Sequence, residues 1–282
     1  MLEPENYPFP LSQWRLIFSP PAAGAWNMAV DEALLEGMNA ENALPALRLY
    51  AWSPPCLSLG YAQPAGDVDQ AALRQRGWEM VRRPTGGRAI LHTDELTYAV
   101  IGPHNEPRLA GSVLESYQRL SRALLDALHR LQVPAHSQAQ ALIPPGSDPK
   151  GAVCFEVPSN YEITVDGKKL IGSAQARRRD GVLQHGSLPL TGDLQRITQA
   201  LVFPDAASRQ AAARRLTDRA TTVAESLGVQ VTWEAAAQAF VDAFQDKLNI
   251  RFIEREFTSQ ECQRAEALIA EKYANPAWTL RV

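Results

Sequence analysis

Between Tyr161 and Ala174 two alternating runs, Tyr-Glu-Ile-Thr-Val and Lys-Lys-Leu-Ile-Gly-Ser-Ala, flank the dipeptide Asp166-Gly167. Asp-Gly readily adopts the positive φ angles of a type I′ turn, so the segment predicts a tight β-hairpin. Any fold for this chain must therefore hold an antiparallel strand pair here, with Lys169 just past the turn on the second strand.

Other periodicities build around that hairpin. From Asn27 to Met38 the apolar residues Met28, Leu34, Leu35 and Met38 interleave with Asp31 and Glu32 at helical spacing. Leu47 to Trp52 alternates with period two, and Cys56 to Gly60, Gly77 to Arg82, Thr97 to Gly102 and Val182 to Leu190 read as further strands. Ser112 and Glu115 form a capping-box pattern ahead of Val113, Tyr117, Leu120, Leu124, Leu128 and Leu131, which recur every three or four residues. The stretch Gln132 to Val153, with Pro144-Pro145-Gly146 inside it, is too long for an ordinary connection. After Leu190 the pattern is helical over Asp193–Val202, Ala206–Leu227, Thr232–Leu248 and Thr258–Tyr273, the last opened by a Thr258/Glu261 capping box. The expected class is α+β, with mixed, largely antiparallel sheets flanked by helices. A catalytic domain over 1–190 carries a helical C-terminal extension, 191–282, packed on the same domain.

Composition excludes several classes. The 282 residues are 45% apolar with a net charge of −3, which fits a globular chain and lacks the basic footprint of a nucleic-acid binder. The segment Met1 to Arg15 has no apolar run that would serve as a secretory signal, and no stretch approaches the ~18 apolar residues of a membrane span. A cytoplasmic protein is expected. Its three cysteines, Cys56, Cys154 and Cys262, are too few and too widely spaced for a disulfide scaffold or a metal site.

Cys154 differs from the other two. It closes a polar, proline-bearing stretch fifteen positions before Lys169, and that pairing suggests a charged thiol nucleophile. A free thiol with a pKa of ~8.5 is only a few per cent thiolate at neutral pH, and a nearby ammonium can lower that pKa toward ~7. The same ammonium can stabilise the oxyanion of a tetrahedral intermediate. Cys56 and Cys262 read as core residues, His104, His129 and His136 as structural or surface histidines, and the tryptophans as packing residues. The run Arg177 to Arg179 reads as a solvated face.

A second constellation is Arg82-Arg-Pro-Thr-Gly-Gly-Arg-Ala-Ile-Leu-His92. Paired glycines let backbone N–H groups approach a ligand, and flanking arginines can neutralise an anion. As a bare pattern this is equally an ordinary turn, and it matches no Walker A loop or dinucleotide fingerprint.

This stretch nevertheless resembles the Arg-Arg-x-Ser/Thr-Gly-Gly-Gly-x-Val-x-His-Asp signature of the biotin/lipoate protein ligase superfamily. Asp166-Gly-Lys-Lys-Leu-Ile-Gly-Ser-Ala174 resembles its second signature and Gln184-His185-Gly186 a third, in the expected order between residues 14 and about 190. Within the superfamily, Val153-Cys-Phe-Glu-Val-Pro-Ser-Asn-Tyr-Glu162 and the helical tail look most like the LipM-type octanoyltransferases. The resemblance implies that Arg83, Thr85, Gly86, Gly87 and His92 line an acyl pocket together with Gly172, Ser173, Ala174 and His185. It also implies that Lys169 contacts the acyl carbonyl and that Cys154 carries an acyl thioester. Arg88 replaces the third glycine and Thr93 the usual aspartate. A bulky cation in a loop shaped for an adenylate favours a transferase over an ATP-using ligase.

The implied reaction moves octanoyl from octanoyl-acyl carrier protein to a lysine of a lipoyl domain or of the glycine cleavage H protein, with no cofactor, metal, nucleic acid or membrane partner. Thioester exchange needs no nucleotide, and transfer to an amine runs downhill to an amide, with ping-pong kinetics. The sequence does not reveal the general base for the acceptor lysine. The alternatives are an ATP-dependent lipoate-protein ligase, an amidotransferase moving octanoyl between lipoyl domains, and a binding protein that uses the pocket without turnover.

Overall fold

The structure is a computed structural model that describes residues 9–40, 43–139 and 161–282. In chain order the strands are β1 (Ser12–Phe18), β2 (Ala46–Tyr50), β3 (Cys56–Leu59), β4 (Glu79–Arg82), β5 (Ile90–His92), β6 (Glu95–Gly102), β7 (His136–Ala139), β8 (Tyr161–Val165), β9 (Lys168–Arg178), β10 (Gly181–Pro189) and β11 (Ile250–Glu254). The helices are α1 (Gly24–Glu36), α2 (Gln70–Gln75), α3 (Val113–Arg130), α4 (Ala206–Arg219), α5 (Val223–Leu227), α6 (Trp233–Leu248), α7 (Ser259–Leu268) and α8 (Pro276–Thr279).

Among the described residues the strands form an eight-stranded sheet, in the order β11, β1, β2, β6, β10, β9, β8, β7, and a three-stranded sheet, in the order β4, β3, β5. β1 runs parallel to β2 and β11, and every other pair in the larger sheet is antiparallel. In the smaller sheet β3 is parallel to β4 and antiparallel to β5. The α+β class with mixed sheets is what the sequence led us to expect.

Two cores sit on opposite faces of the larger sheet, and the pleat sorts side chains between them. On β6, Leu96, Tyr98 and Val100 join the core that α3 and α6 close with Leu124, Leu128, Phe240 and Phe244. Ala99 and Ile101 join the core that α1 and α7 close with Met28, Leu34 and Leu268. Burial of Phe240 and Phe244 contributes about 1.5–3 kcal/mol each. With both faces covered, β2, β6 and β10 are buried along their whole length.

The predicted local signals form as expected. Asp166 (φ 49°) and Gly167 (φ 77°) make the positive-φ turn, and Lys169 pairs with Thr164 across the hairpin. The Ser112/Glu115 and Thr258/Glu261 capping boxes both close.

Elsewhere tertiary contacts override the pattern. The tail is not wholly helical: Asn249 (φ 49°) ends α6 in the left-handed region, and the next five residues become β11, paired with β1. The Ala206–Leu227 stretch breaks into α4 and α5 where Ala220 bridges to Lys169 and Thr222 starts a new capping box. Leu194–Gln199 forms a short 3-10 turn in place of a longer helix, and Ile269–Tyr273 is a π turn. The Gln132–Val153 stretch is not all connection: its residues His136–Ala139 are β7, hydrogen-bonded to β8. β5 and α2 lie in segments without a periodic signal. No described helix is long and apolar enough to cross a membrane.

Candidate active site

A pocket opens between the two sheets, with Met28 of α1 in its lining. The larger sheet supplies Tyr50, Thr97, His185 and Ser187, and Gly172 and Ala174 pair opposite the last two. The smaller sheet supplies Ser58, Ile90 and His92, and the connection after β4 supplies Arg83 and Gly87. Period-two alternation explains the selection: Leu183, His185 and Ser187 point to the α1 side of β10, whereas Gly186 points to the other. A Cβ at Gly186 would lie 2.6 Å from the Gly172 carbonyl oxygen and 2.7 Å from the Tyr98 ring, so that pleat accepts only glycine without rearrangement.

Two buried acid–imidazole–hydroxyl relays form the polar wall. In the first, Asp31 of α1 accepts from Arg48 (2.8 Å) and Tyr50 (3.0 Å) and lies 3.2 Å from His185 Nδ1, while His185 Nε2 lies 2.7 Å from Thr85 Oγ1. In the second, Glu95 lies 2.7 Å from His92 Nδ1 and accepts from Thr97 (2.6 Å) and Ser187 (2.8 Å). His92 Nε2 is 2.7 Å from Ser58 Oγ, which also receives Arg83 at 3.1 Å, and Trp52 stacks on the His92 ring at 3.9 Å.

An ionised carboxylate can only accept, so each imidazole carries a proton on Nδ1, and in neutral His185 the Nε2 takes the Thr85 hydroxyl proton. The protonation directions agree. Burial pushes the Asp31 carboxyl up, but Arg48 and His185 outweigh it and hold the group below its ordinary pKa. Burial likewise opposes Glu95, and His92 with the Thr97 and Ser187 hydroxyls brings it below the ordinary value. Burial lowers His185 despite Asp31, and the Arg83 charge adds to the lowering. Both relays rest with charged carboxylates, and His185 is neutral. In neutral His185 the Nε2 lone pair is occupied by the Thr85 hydroxyl, so this imidazole presents no open base in this state.

Of the predicted residues, Arg83, Gly87, His92, Gly172, Ser173, Ala174 and His185 all line the pocket. Thr85 stands one hydrogen bond behind it, on His185, and Gly86 is exposed with its carbonyl held by Arg83 at 2.8 Å. Lys169 is outside the lining, three residues before Gly172 on β9, buried and 3.0 Å from Glu162. Cys154, and the 140–160 stretch that contains it, lies outside the described residues. Arg88 is half-buried, its carbonyl accepts from Arg83 at 2.8 Å, and Gly87 before it takes φ 93°. Thr93 receives Arg196 at 2.8 Å, on the face away from this pocket.

Several other readings change. Arg82 is fully buried and donates to the carbonyls of Gly60 (2.8 Å), Gln63 (2.7 Å) and Thr279 (2.8 Å), so the first arginine of the signature ties the C-terminus to the pocket loop. The Arg177–Arg179 run is not merely solvated: Arg177 donates to the Leu109 carbonyl and Arg178 to the Pro84 carbonyl. Cys56 is a core residue as expected; burial first, then Glu79 and Glu95, push its thiol well above the ordinary range. Cys262 is only half-buried.

Asp31, Arg48, Tyr50, Trp52, Ser58 and Glu95 escape the sequence reading. Asp31 there belongs to the polar side of the first helix, yet Asn27 and Asp31, one turn apart, are both wholly buried and meet Arg48. A polar pair at i and i+4 inside an apolar stripe was the available signal. Arg48 and Glu95 left none, since an alternating strand looks the same with one face buried or two.

A family model described as the lipoyl protein ligase A/B catalytic domain matches residues 23–245. A protein of Kyrpidia tusciae named octanoyltransferase LipM is 41% identical over 278 residues, covering 96% of this chain and 100% of that protein. One of the same name from Symbiobacterium thermophilum is 38% identical over 273 residues, covering 96% and 99%. Among solved structures, the bi-partite lipoate protein ligase of Thermoplasma acidophilum superposes with a TM-score of 0.79 at 24% identity, covering 95% of this chain and 96% of that one. Lipoate-protein ligase A bound with ATP gives 0.76 at 23%, covering 95% and 98%. At those identities the structures establish the fold alone.

Proposed function

This chain belongs to the lipoyl protein ligase A/B catalytic domain family, and from that membership we propose that it transfers octanoyl from octanoyl-acyl carrier protein to a lysine of a lipoyl-accepting domain, an early step of protein lipoylation. The observation that carries the reading is its similarity, along nearly the whole length of both chains, to proteins named octanoyltransferase. The pocket between the sheets, lined by residues of all three signatures, is the site for the acyl chain.

The chemistry follows from the residue types. The Cys154 thiolate attacks the donor thioester carbonyl, and the resulting tetrahedral oxyanion collapses with loss of the pantetheine thiolate, which takes a proton. The neutral acceptor amine then attacks the Cys154 thioester, loses a proton, and the amide forms as the Cys154 thiolate leaves. No nucleotide enters either half. The Lys169 ammonium, held on rigid β9, is the proposed partner of thiolate and oxyanion. Glu162, 3.0 Å from it, offsets part of its charge and fixes its position. Acceptors of this chemistry are lipoyl domains or the glycine cleavage H protein. The reaction belongs in the cytosol, where a thioester-forming thiol stays reduced.

Mass spectrometry after mixing the protein with octanoyl-acyl carrier protein and no ATP tests this. We expect a gain of one octanoyl group, retained in Cys56→Ser and Cys262→Ser and absent in Cys154→Ser. A strict ATP requirement with free acid as substrate, and an unimpaired Cys154→Ser, would establish the ligase reaction instead.

A further inference from the structure

Outside the pocket lining, two segments distant in sequence bring arginines onto one exposed tyrosine, Tyr61. Arg281 lies 3.7 Å from the Tyr61 ring centre and donates to the Tyr61 carbonyl at 2.6 Å. Arg178 lies 5.3 Å from the same ring and donates to the Pro84 carbonyl at 2.9 Å. Tyr61 in turn donates its backbone N–H to the Thr85 carbonyl at 2.8 Å. The cluster is thus bonded directly to the loop whose inner side lines the acyl pocket through Arg83 and Gly87.

Among the described residues neither Arg178 nor Arg281 pairs with a carboxylate; backbone carbonyls and aromatic faces hold both. Trp278 supports Arg281 from below, 4.2 Å from ring centre to guanidinium. The neighbouring cation Lys272 is taken by Glu32, and that pair adds little net charge. Tyr61 registers the local field: its hydrogen bond with Arg281, then the charges of Arg281, Arg178 and Lys272, hold the phenol below its ordinary pKa. In a chain with a net charge of −3, two exposed arginines fixed in place against Pro84 and Tyr61, next to the loop that lines the pocket, need a physical reason.

We propose that Arg178, Arg281 and Tyr61 form a docking site for the anionic donor, the acyl carrier protein with its phosphodiester-linked arm. This rests on the octanoyl-transfer reading above. Charge selects the donor over the acceptor: the donor arm carries a phosphodiester anion near its attachment, whereas the acceptor brings a lysine that is a cation before it reacts. Preorganised exposed arginines raise the encounter rate with such a partner and hold it in register, in a salt-dependent way. They contribute nothing to chemistry on a small neutral thioester.

The test compares octanoyl-acyl carrier protein with octanoyl-pantetheine, which has neither protein nor phosphate. In the double variant Arg178→Glu/Arg281→Glu, we expect KM for the carrier protein to rise about tenfold or more at low salt. The kcat, the acceptor KM and the octanoyl-pantetheine rate should be unchanged. Arg178→Lys/Arg281→Lys should recover most of the loss, and added salt should raise the wild-type KM toward that of the glutamate variant. An unchanged carrier-protein KM, an equal loss with octanoyl-pantetheine, or a rise confined to the acceptor KM would each overturn the docking site. A wild-type protein inert toward both donors would overturn the octanoyl-transfer reading itself, and the docking site with it.

Discussion

Arg48 and Asp31 meet at 2.8 Å in the layer between β2 and α1, with neither side chain exposed. The pair ties helix to sheet and, through His185, ties both to Thr85 of the pocket loop. Its geometry is complete: Arg48 also donates to Ser19 (2.9 Å), the Asn27 carbonyl (3.1 Å) and the Asn27 side chain (2.7 Å). Breaking one side of such a pair leaves a buried charge unpaired. Asp31→Asn should therefore lose about 3–5 kcal/mol of stability, read from the shift in urea midpoint. An undiminished midpoint would show that Arg48 finds another partner.

Acid should loosen the same relay in a defined order. His185 has a folded pKa below the ordinary 6.5, so below about 6.5 the unfolded chain binds a proton that the folded chain refuses. The stability from keeping it neutral is complete above about 6.5 and is lost as pH falls from there toward the folded pKa. Asp31 and Glu95, both lowered, add stability present above the ordinary carboxylate range and lost as pH falls through their folded values. Melting temperature against pH should show the first decline starting near 6.5, and His185→Gln should flatten that portion alone.

Gly186 has no room for a methyl group, with three atoms of Gly172, Ser173 and Tyr98 within 2.7 Å of an added Cβ. Gly186→Ala should cost about 1–3 kcal/mol by forcing β9 and β10 apart. Because Gly172 and Ser173 line the pocket, the same change should weaken acyl donor binding, measured as KM for octanoyl-pantetheine.

Arg82 serves the C-terminus rather than the ligand. A lysine there has no planar fork to reach the carbonyls of Gly60, Gln63 and Thr279 together. Arg82→Lys should lose about 2 kcal/mol or more. Limited proteolysis should then release the segment after Tyr273 faster than in the wild type.

Lys169, if it stabilises the oxyanion as proposed, should be needed for turnover far more than for folding. Lys169→Ala should reduce kcat about 10²–10³-fold. Circular dichroism should show native helix content. Near-normal kcat would remove Lys169 from the mechanism.

Much of the architecture was legible because it rests on local chemistry. The Asp166-Gly167 turn and the capping boxes at Ser112 and Thr258 depend on residues within four positions of one another, and each forms as the sequence indicated. β11 was not legible, because its pairing to β1 is made by residues more than two hundred positions away. The motif residues were legible only as a set, since Arg82 and Arg83 stand side by side in one signature yet serve different ends.

The sequence by itself determined which side chains could do chemistry: a cysteine ahead of a hairpin and a lysine on its second strand, two histidines within signatures, and a Gly-Gly turn able to approach a ligand. Tertiary structure alone decided their surroundings. Covering both faces of β2, β6 and β10 removed water from Arg48 and His185, and a buried charge or imidazole must find a partner or change protonation state. That requirement drew Asp31 of α1 against Arg48 and His185, and Glu95 of β6 against His92, behind the pocket lining, which no spacing along the chain could have specified.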